Sequence, residues 1–194
     1  MNQPINMYPT DNVDNWAWAD VFTPEECKEI IKIGTRSELT RATISKTEDR
    51  AIDLDIRESD ISWLWPGSEH DWIFEKISGA TTYLNENYFN FHLSGFAEGL
   101  QFTQYIAPTG HYDRHIDKSF QGRIRKLSLT IQLSSPEDYK GGELMLYYDR
   151  NTIVMPTEQG RMIAFPSYVL HQVAPVTTGT RYSLVAWLTG DPFK

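Results

Sequence analysis

The sequence predicts an α+β protein, mainly β, in which a sheet sandwich or barrel carries two helices on its outside. Three observations lead there. Helical periodicity is confined to the first half of the chain. From Leu93 onward short apolar or alternating runs are divided by Pro108-Thr109-Gly110, Ser134-Ser135-Pro136, Gly141-Gly142, Gln159-Gly160 and Thr178-Gly179. No repeat or linker-like stretch interrupts the 194 residues, which at 40% hydrophobic and 23% charged suit one folded core.

The first element opens at Thr23-Pro24-Glu25-Glu26, where Thr can cap, Pro takes the first helical position and Glu26 completes a capping box. Ile30, Ile31 and Ile33 follow, with Gly34 read as the stop. Residues 52–56, Ile-Asp-Leu-Asp-Ile, alternate as a half-buried strand should. Arg57 to Pro66 then leads through Trp63-Leu64-Trp65 into a loop. From about Asp71 to Tyr88, Ile73, Ile77, Ala80, Leu84 and Tyr88 recur at spacings of three and four, which predicts a longer second helix. In the β half, Leu127, Leu129, Ile131 and Leu133 share one face of a strand and Ser128, Thr130 and Gln132 the other. The polar face is either the wall of a barrel that holds a charged ligand or a solvated surface. Gly141-Gly142 reads as a turn with unusual dihedrals before the strand Glu143–Tyr148.

Composition narrows the partners. Eighteen Lys+Arg against 26 Asp+Glu give a net charge of −8 with no basic tract, which disfavours nucleic acid and anionic membrane surfaces. The one cysteine, Cys27, allows neither an intrachain disulfide nor a Cys-rich zinc site. The N-terminal residues lack a signal-peptide pattern and no apolar run is long enough to span a bilayer, so a soluble cytoplasmic protein is expected. Arg123, Arg125 and Lys126 read as a solvated patch, or as one that orients an acidic substrate.

Of five histidines, His70, His92 and His111 read as structural or exposed. In His115-Ile116-Asp117 two ligand-capable side chains sit at i and i+2, on one face if the segment is a strand. His171, in a separate apolar run that begins at Phe165, can supply a third vertex. Two His and one carboxylate on one face of an octahedron leave the opposite positions open, which suits non-haem Fe(II) oxygenases. Arg181 follows His171 by ten residues across the turn Pro175–Thr180. On the next antiparallel strand it can face the same cavity, and a metal beside a buried Arg implies an anionic cosubstrate.

In these motifs the chain resembles the Fe(II)- and 2-oxoglutarate-dependent dioxygenases, specifically their prolyl 4-hydroxylase-like branch. The matching text, from roughly Phe22 to Phe193, comprises YIAPTGHYDRHID (Tyr105 to Asp117), RKLSLTIQLS (Arg125 to Ser134), YKGGE (Tyr139 to Glu143), Phe165-Pro-Ser167, His171 and RYSLVAW (Arg181 to Trp187). The resemblance implies a double-stranded β-helix, a distorted jelly roll, with the N-terminal helices packed on the major sheet. It implies one domain over 1–194, with about 1–92 as helical support and lid and about 93–194 as the catalytic β core. It implies that His115, Asp117 and His171 bind Fe(II) and that Arg181 pairs with the C5 carboxylate of 2-oxoglutarate. Tyr105, Gln132 and Ser183 complete the cosubstrate pocket, while Tyr112 and Trp187 lie on the substrate side. O₂ is the co-reactant, ascorbate a reductant, and the products succinate, CO₂ and an alcohol. A peptide or protein hydroxylated on proline is the expected substrate.

Other readings remain open from sequence. These are hydroxylation of a free amino acid or another small metabolite, a non-catalytic β-barrel binding module, and a redox-inert metal enzyme. Trp63 and Trp65 divide between core and substrate groove, within a lid over about Arg41 to Pro66.

Overall fold

A computed structural model describes residues 16–46, 49–51, 53–67, 69–117, 124–148 and 150–192. In chain order the elements are β1 (Ala17–Asp20), α1 (Pro24–Arg36), β2 (Thr40–Arg41), β3 (Ile44–Lys46), β4 (Asp49–Ala51), β5 (Arg57–Glu58), β6 (Asp60–Leu64) and α2 (Asp71–Leu84). A π-helical turn over Asn85–Phe89 extends α2. Then come β7 (Leu93–Phe96), β8 (Leu100–Ile106), β9 (His111–His115), β10 (Arg125–Gln132), β11 (Tyr139–Gly141), β12 (Leu144–Tyr148), β13 (Asn151–Val154), β14 (Arg161–Pro166), β15 (Leu170–Val173) and β16 (Val176–Gly190).

Two antiparallel sheets face one another. The large one runs β1-β14-β10-β16-β8-β6-β2, with β7 and β11 also paired to β16, and the small one runs β13-β12-β15-β9-β5. This is the predicted mainly β architecture. Both helices pack on the outer face of the large sheet. Leu127, Leu129, Ile131 and Leu133 of β10 and Leu184, Ala186 and Leu188 of β16 meet Cys27 and Ile30 of α1 and Ile73, Ile77 and Leu84 of α2. The alternate residues of β10, Ser128, Thr130 and Gln132, are buried between the sheets. The polar face is therefore an inner wall and not a solvated surface.

α1 starts as its sequence indicates. Thr23 Oγ1 accepts from the Glu26 N–H, Glu26 caps back to Thr23, and Pro24 sits in the first turn. Gly34 does not end the helix, which runs on to Arg36. Its missing side chain is instead a packing requirement, because a Cβ there would fall within the contact envelope of the Phe102 ring. Gly34→Ala is accordingly expected to destabilise the fold by about 1–3 kcal/mol, as overpacking of a tight core does. A thermal melt indistinguishable from wild type would contradict that packing. α2 buries Ile73, Phe74, Ile77, Thr81 and Leu84, but the π turn rotates Tyr88 off this stripe and leaves it exposed.

Three expectations from sequence need correction. Residues 54–56 form a turn and not a strand, because the Asp53 carboxylate accepts the Asp55 N–H and the Asp53 carbonyl accepts from Ile56 and Arg57. Leu54 is therefore 49% exposed, and Ile52 lies outside the described residues. Trp63-Leu64 closes a strand, β6, in register with Gln101 and Leu100 of β8. The segment 41–66 is thus not a lid throughout: β5 and β6 are built into the two sheets, and β1 and β2 also join the large one, so residues before 93 supply more than helices. Lastly, Arg125 and Lys126 are not a solvated patch. Arg125 pairs with Glu98 at 2.6 Å and covers the Trp187 ring, and Lys126 is buried over Phe91. Arg123 lies outside the described residues, as do the first fifteen.

Burial pushes the Cys27 thiol up to about 12, so the native protein is expected to resist alkylation at pH 8 and to react only once unfolded. Among the described residues no helix is long and apolar enough to cross a membrane.

Candidate metal and cosubstrate site

His115 on β9 and His171 on β15 are cross-strand partners in the small sheet, with side chains turned between the sheets. Asp117 lies two residues past the end of β9, not on the strand as its spacing suggested. Its backbone N–H is fixed to the Ser167 carbonyl at 3.0 Å. His115 Nε2 stands 3.6 Å from Asp117 Oδ1 and His171 Nε2 3.5 Å from Asp117 Oδ2. One ligand atom from each of the three residues lies within 4.8 Å of the others, as sharing one cation requires.

The supporting contacts commit these atoms outward. His115 Nδ1 is 2.7 Å from the Asp113 carbonyl and His171 Nδ1 2.9 Å from the Val169 carbonyl. A carbonyl only accepts, so each Nδ1 carries a proton and Nε2 is the nitrogen left on each ring to face a cation. Ser128 Oγ donates to Asp117 Oδ2 at 2.8 Å, with Ser167 Oγ 2.9 Å from the same hydroxyl.

Burial, then the neighbouring His171, pushes His115 down to about 3, so it is neutral at pH 7. For Asp117 burial acts upward, but His171 and His115 outweigh it, with Trp187 and Arg125 adding to the effect, and the carboxyl falls to about 2. His115 and Asp117 are therefore both in the form that binds a divalent cation. The sign for stability follows. Below its ordinary value near 6.5 the unfolded His115 takes up a proton that the folded one refuses until about 3, so stability falls on acidification through that window. Metal-free protein is expected to lose on the order of 1 kcal/mol per pH unit there. Denaturant melts from pH 7 to 4 check this, and a flat profile would contradict the burial of neutral His115.

Arg181 on β16 is 3% exposed, and its Nη1 meets no acceptor. Thr130, Gln132, Gly142, Leu144 and Ile163 form a cavity around it. Tyr105, cross-strand from Arg181, places its ring 5.5 Å from the guanidinium carbon. Gln132 donates to the Tyr139 hydroxyl at 2.8 Å. Ser183, opposite Gln132 in register and buried, lies outside the residues that line the cavity. Orphaned buried donors are rare and costly, and here one points into a polar cavity between the sheets. The arrangement fits a dianionic carboxylate ligand.

On the other side of the histidines, the Tyr112 ring stacks on His115 at 3.5 Å. Residues three apart can share this face because β9 carries a bulge opposite His171–Val173. Trp187 is buried, with its indole N–H directed at Asp117 but closing no hydrogen bond of normal length. Trp63, 6.3 Å from Trp187, is half-buried and stacks on the 58% exposed Trp65, so the two indoles share one side, Trp63 nearer Trp187, and neither is a core residue. Among the described residues His70 and His111 bond only to backbone carbonyls, and His92 is exposed.

Two residues at the site escaped the sequence reading. Gly142, taken as a turn glycine, has φ +70, and a Cβ there would stand 2.8 Å from Val176 Cγ2 and 3.0 Å from Arg181 Cδ. Arg57 is buried with its guanidinium 4.4 Å from the Tyr112 ring centre. Its contact with Ser59 is local, but the partners that place it at the site, Gln101 and Tyr112, are distant in the chain.

Comparison with known proteins agrees with this geometry. Residues 100–189 match the family model of the 2OG-Fe(II) oxygenase superfamily. A PKHD-type hydroxylase of Prochlorococcus marinus (strain NATL2A) is 32% identical over 170 residues, covering 77% of this chain and 76% of that one. A shorter match, to a PKHD-type hydroxylase of Parvibaculum lavamentivorans, is 41% identical over 78 residues, 40% of this chain and 36% of that one. Among solved structures, a Pseudomonas putida prolyl-4-hydroxylase superposes with a TM-score of 0.72 at 22% identity, covering 92% of this chain and 94% of that one. A prolyl hydroxylase from Trichoplax adhaerens, in complex with a hypoxia inducible factor peptide fragment, gives 0.75 at 18% identity, over 91% and 84%. These two show the shared double-stranded β-helix fold. By sequence the chain belongs with the PKHD-type hydroxylases of the 2OG-Fe(II) oxygenase superfamily, and is a 2-oxoglutarate-dependent dioxygenase.

Proposed function

We propose that this enzyme hydroxylates a prolyl residue of a peptide or protein at C4, consuming 2-oxoglutarate and O₂ and releasing succinate and CO₂. One observation carries the reading: on a single face of β10, Ser128 holds Asp117 of the His115, Asp117 and His171 donor set, while Thr130 and Gln132 line the cavity of Arg181, whose Nη1 meets no acceptor among the described residues. Bound Fe(II), kept reduced by ascorbate, would supply the redox chemistry that couples 2-oxoglutarate decarboxylation to C–H oxidation. One oxygen atom enters the product alcohol and the other succinate, with two electrons drawn from the C–H bond and two from 2-oxoglutarate.

The chain's own residues hold, orient and exclude. His115 and His171 each offer Nε2, and Asp117 offers a carboxylate steadied by Ser128. Arg181 takes the distal carboxylate of 2-oxoglutarate in a charge-assisted pair, with Gln132 walling the pocket, the Tyr105 ring beside the guanidinium and Ser183 on the same strand as Arg181. Tyr112 and Trp187 face the substrate and keep water from the reacting bond. Residues 16–192 act as one catalytic domain. The prolyl assignment is supported by the fold shared with prolyl hydroxylases and by the PKHD-type hydroxylase relatives.

Incubation with proline-containing peptides under ¹⁸O₂ tests the assignment. One labelled oxygen on proline and one in succinate are expected. If succinate is labelled and proline is not, while a free amino acid or small metabolite gains the label, the small-molecule reading replaces this one.

A further inference from the structure

Arg57 is 7% exposed and reaches from the edge of the small sheet towards the large one. Its Nε donates to Ser59 Oγ and its Nη2 to Gln101 Oε1 on β8, both at 2.9 Å. All its partners are neutral. Among the described residues no carboxylate lies within ion-pair distance, and the two bonds use Nε and Nη2, leaving Nη1, which is not among the fully buried atoms, for a further partner. Of the nearest acids along the chain, Glu58 and Asp60 face Arg41 at 4.0 and 3.3 Å, and Asp55 is exposed. A buried charge left without a counter-charge is disfavoured, and the Tyr112 face compensates only part of that cost.

Its location is specific. The His115 imidazole, stacked 3.5 Å from Tyr112, fills one face of that ring, so the guanidinium occupies the other. Arg57 thus stands one aromatic layer from a metal-ligand imidazole. Gln101, which holds it, is in register with Trp63, and Trp63 packs near Trp187. Arg57 is the second buried guanidinium without a carboxylate partner among the described residues. Arg181 is matched to the cosubstrate, but nothing in the established chemistry engages Arg57.

We propose that Arg57 binds a carboxylate of the substrate, so that this enzyme selects peptides with Asp or Glu close to the residue it hydroxylates. The proposal rests on the peptide reading above. The substrate's acid completes the missing ion pair through Nη1, while Ser59, Gln101 and Tyr112 hold the guanidinium in place beforehand. In a protein with a net charge of −8, a local cation beside the site also works against the general repulsion of acidic peptides.

The test is a peptide array probed with protein loaded with Mn(II) and 2-oxoglutarate. It carries proline-centred peptides and proline-free counterparts, with each acidic sequence paired to its Asn or Gln isostere. Asp or Glu at a fixed offset from proline is expected to bind at least tenfold more tightly than the amide. Arg57→Gln should erase that difference and Arg57→Lys should keep part of it, with circular dichroism reporting that the variants fold. Equal binding of acids and amides by wild type overturns the proposal whether or not Arg57→Gln folds, and so does a preference that survives in folded Arg57→Gln. An acid preference that ignores proline and disappears in Arg57→Gln would uphold the role of Arg57 and overturn the prolyl reading instead.

Discussion

His115→Ala is expected to lower metal affinity by more than a hundredfold and to abolish turnover. Loss of a residue that merely orients a metal ligand costs about 10–100-fold in affinity, and His115 is placed as a ligand itself. The remaining two groups cannot compensate. Asp117 comes from a loop pinned by Ser167, and His171 is held by the Val169 carbonyl, so neither can close on a cation over the gap. The fold should survive, because His115 contributes to the wall of the site and not to the apolar core beneath the helices. Titration with Co(II), a coloured substitute for iron, checks this directly, and wild-type affinity in His115→Ala would remove the residue from the metal site.

Arg181→Ala is expected to weaken 2-oxoglutarate binding by about a hundredfold or more while leaving metal affinity intact. Breaking a buried ion pair costs about 3–5 kcal/mol, and every 1.4 kcal/mol is a factor of ten in Kd. Arg181 touches none of the three ligands, so the two effects separate. Arg181→Lys keeps the charge but not the planar fork, and should fall between. Calorimetric titration of 2-oxoglutarate into Mn(II)-loaded variants reads the order, and equal affinities across the three proteins would refute the pairing.

What was legible in the sequence was local or periodic. The capping box at Thr23-Pro-Glu-Glu names its own helix start, and the alternation through Leu127–Leu133 assigns two faces to β10 without reference to any other strand. The triad was legible because its spacing and chemistry match a known family, not because the spacing alone guarantees a shared face: Asp117 reaches the site from a loop. The misreadings share a cause. Gly34 signals a helix end in isolation, and only the Phe102 ring, far along the chain, shows that its role is close packing. Asp53 turned an alternating run into a bend through its own side chain. Tyr112 and His115 share a face only because of a bulge that depends on the neighbouring strand. Arg57 was missed because Ser59 alone, two residues on, does not mark a site, and the partner that draws it inward, Gln101, is 44 residues away.

The central claim is that the donor set and Arg181 together build one Fe(II) and 2-oxoglutarate site. Anaerobic addition of Fe(II) and then 2-oxoglutarate to the purified protein tests it most directly. A weak visible charge-transfer band that needs both additions, and that fades in Arg181→Ala at the same 2-oxoglutarate concentration, is the expected result. Iron bound without any band, or a band indifferent to Arg181, would contradict it.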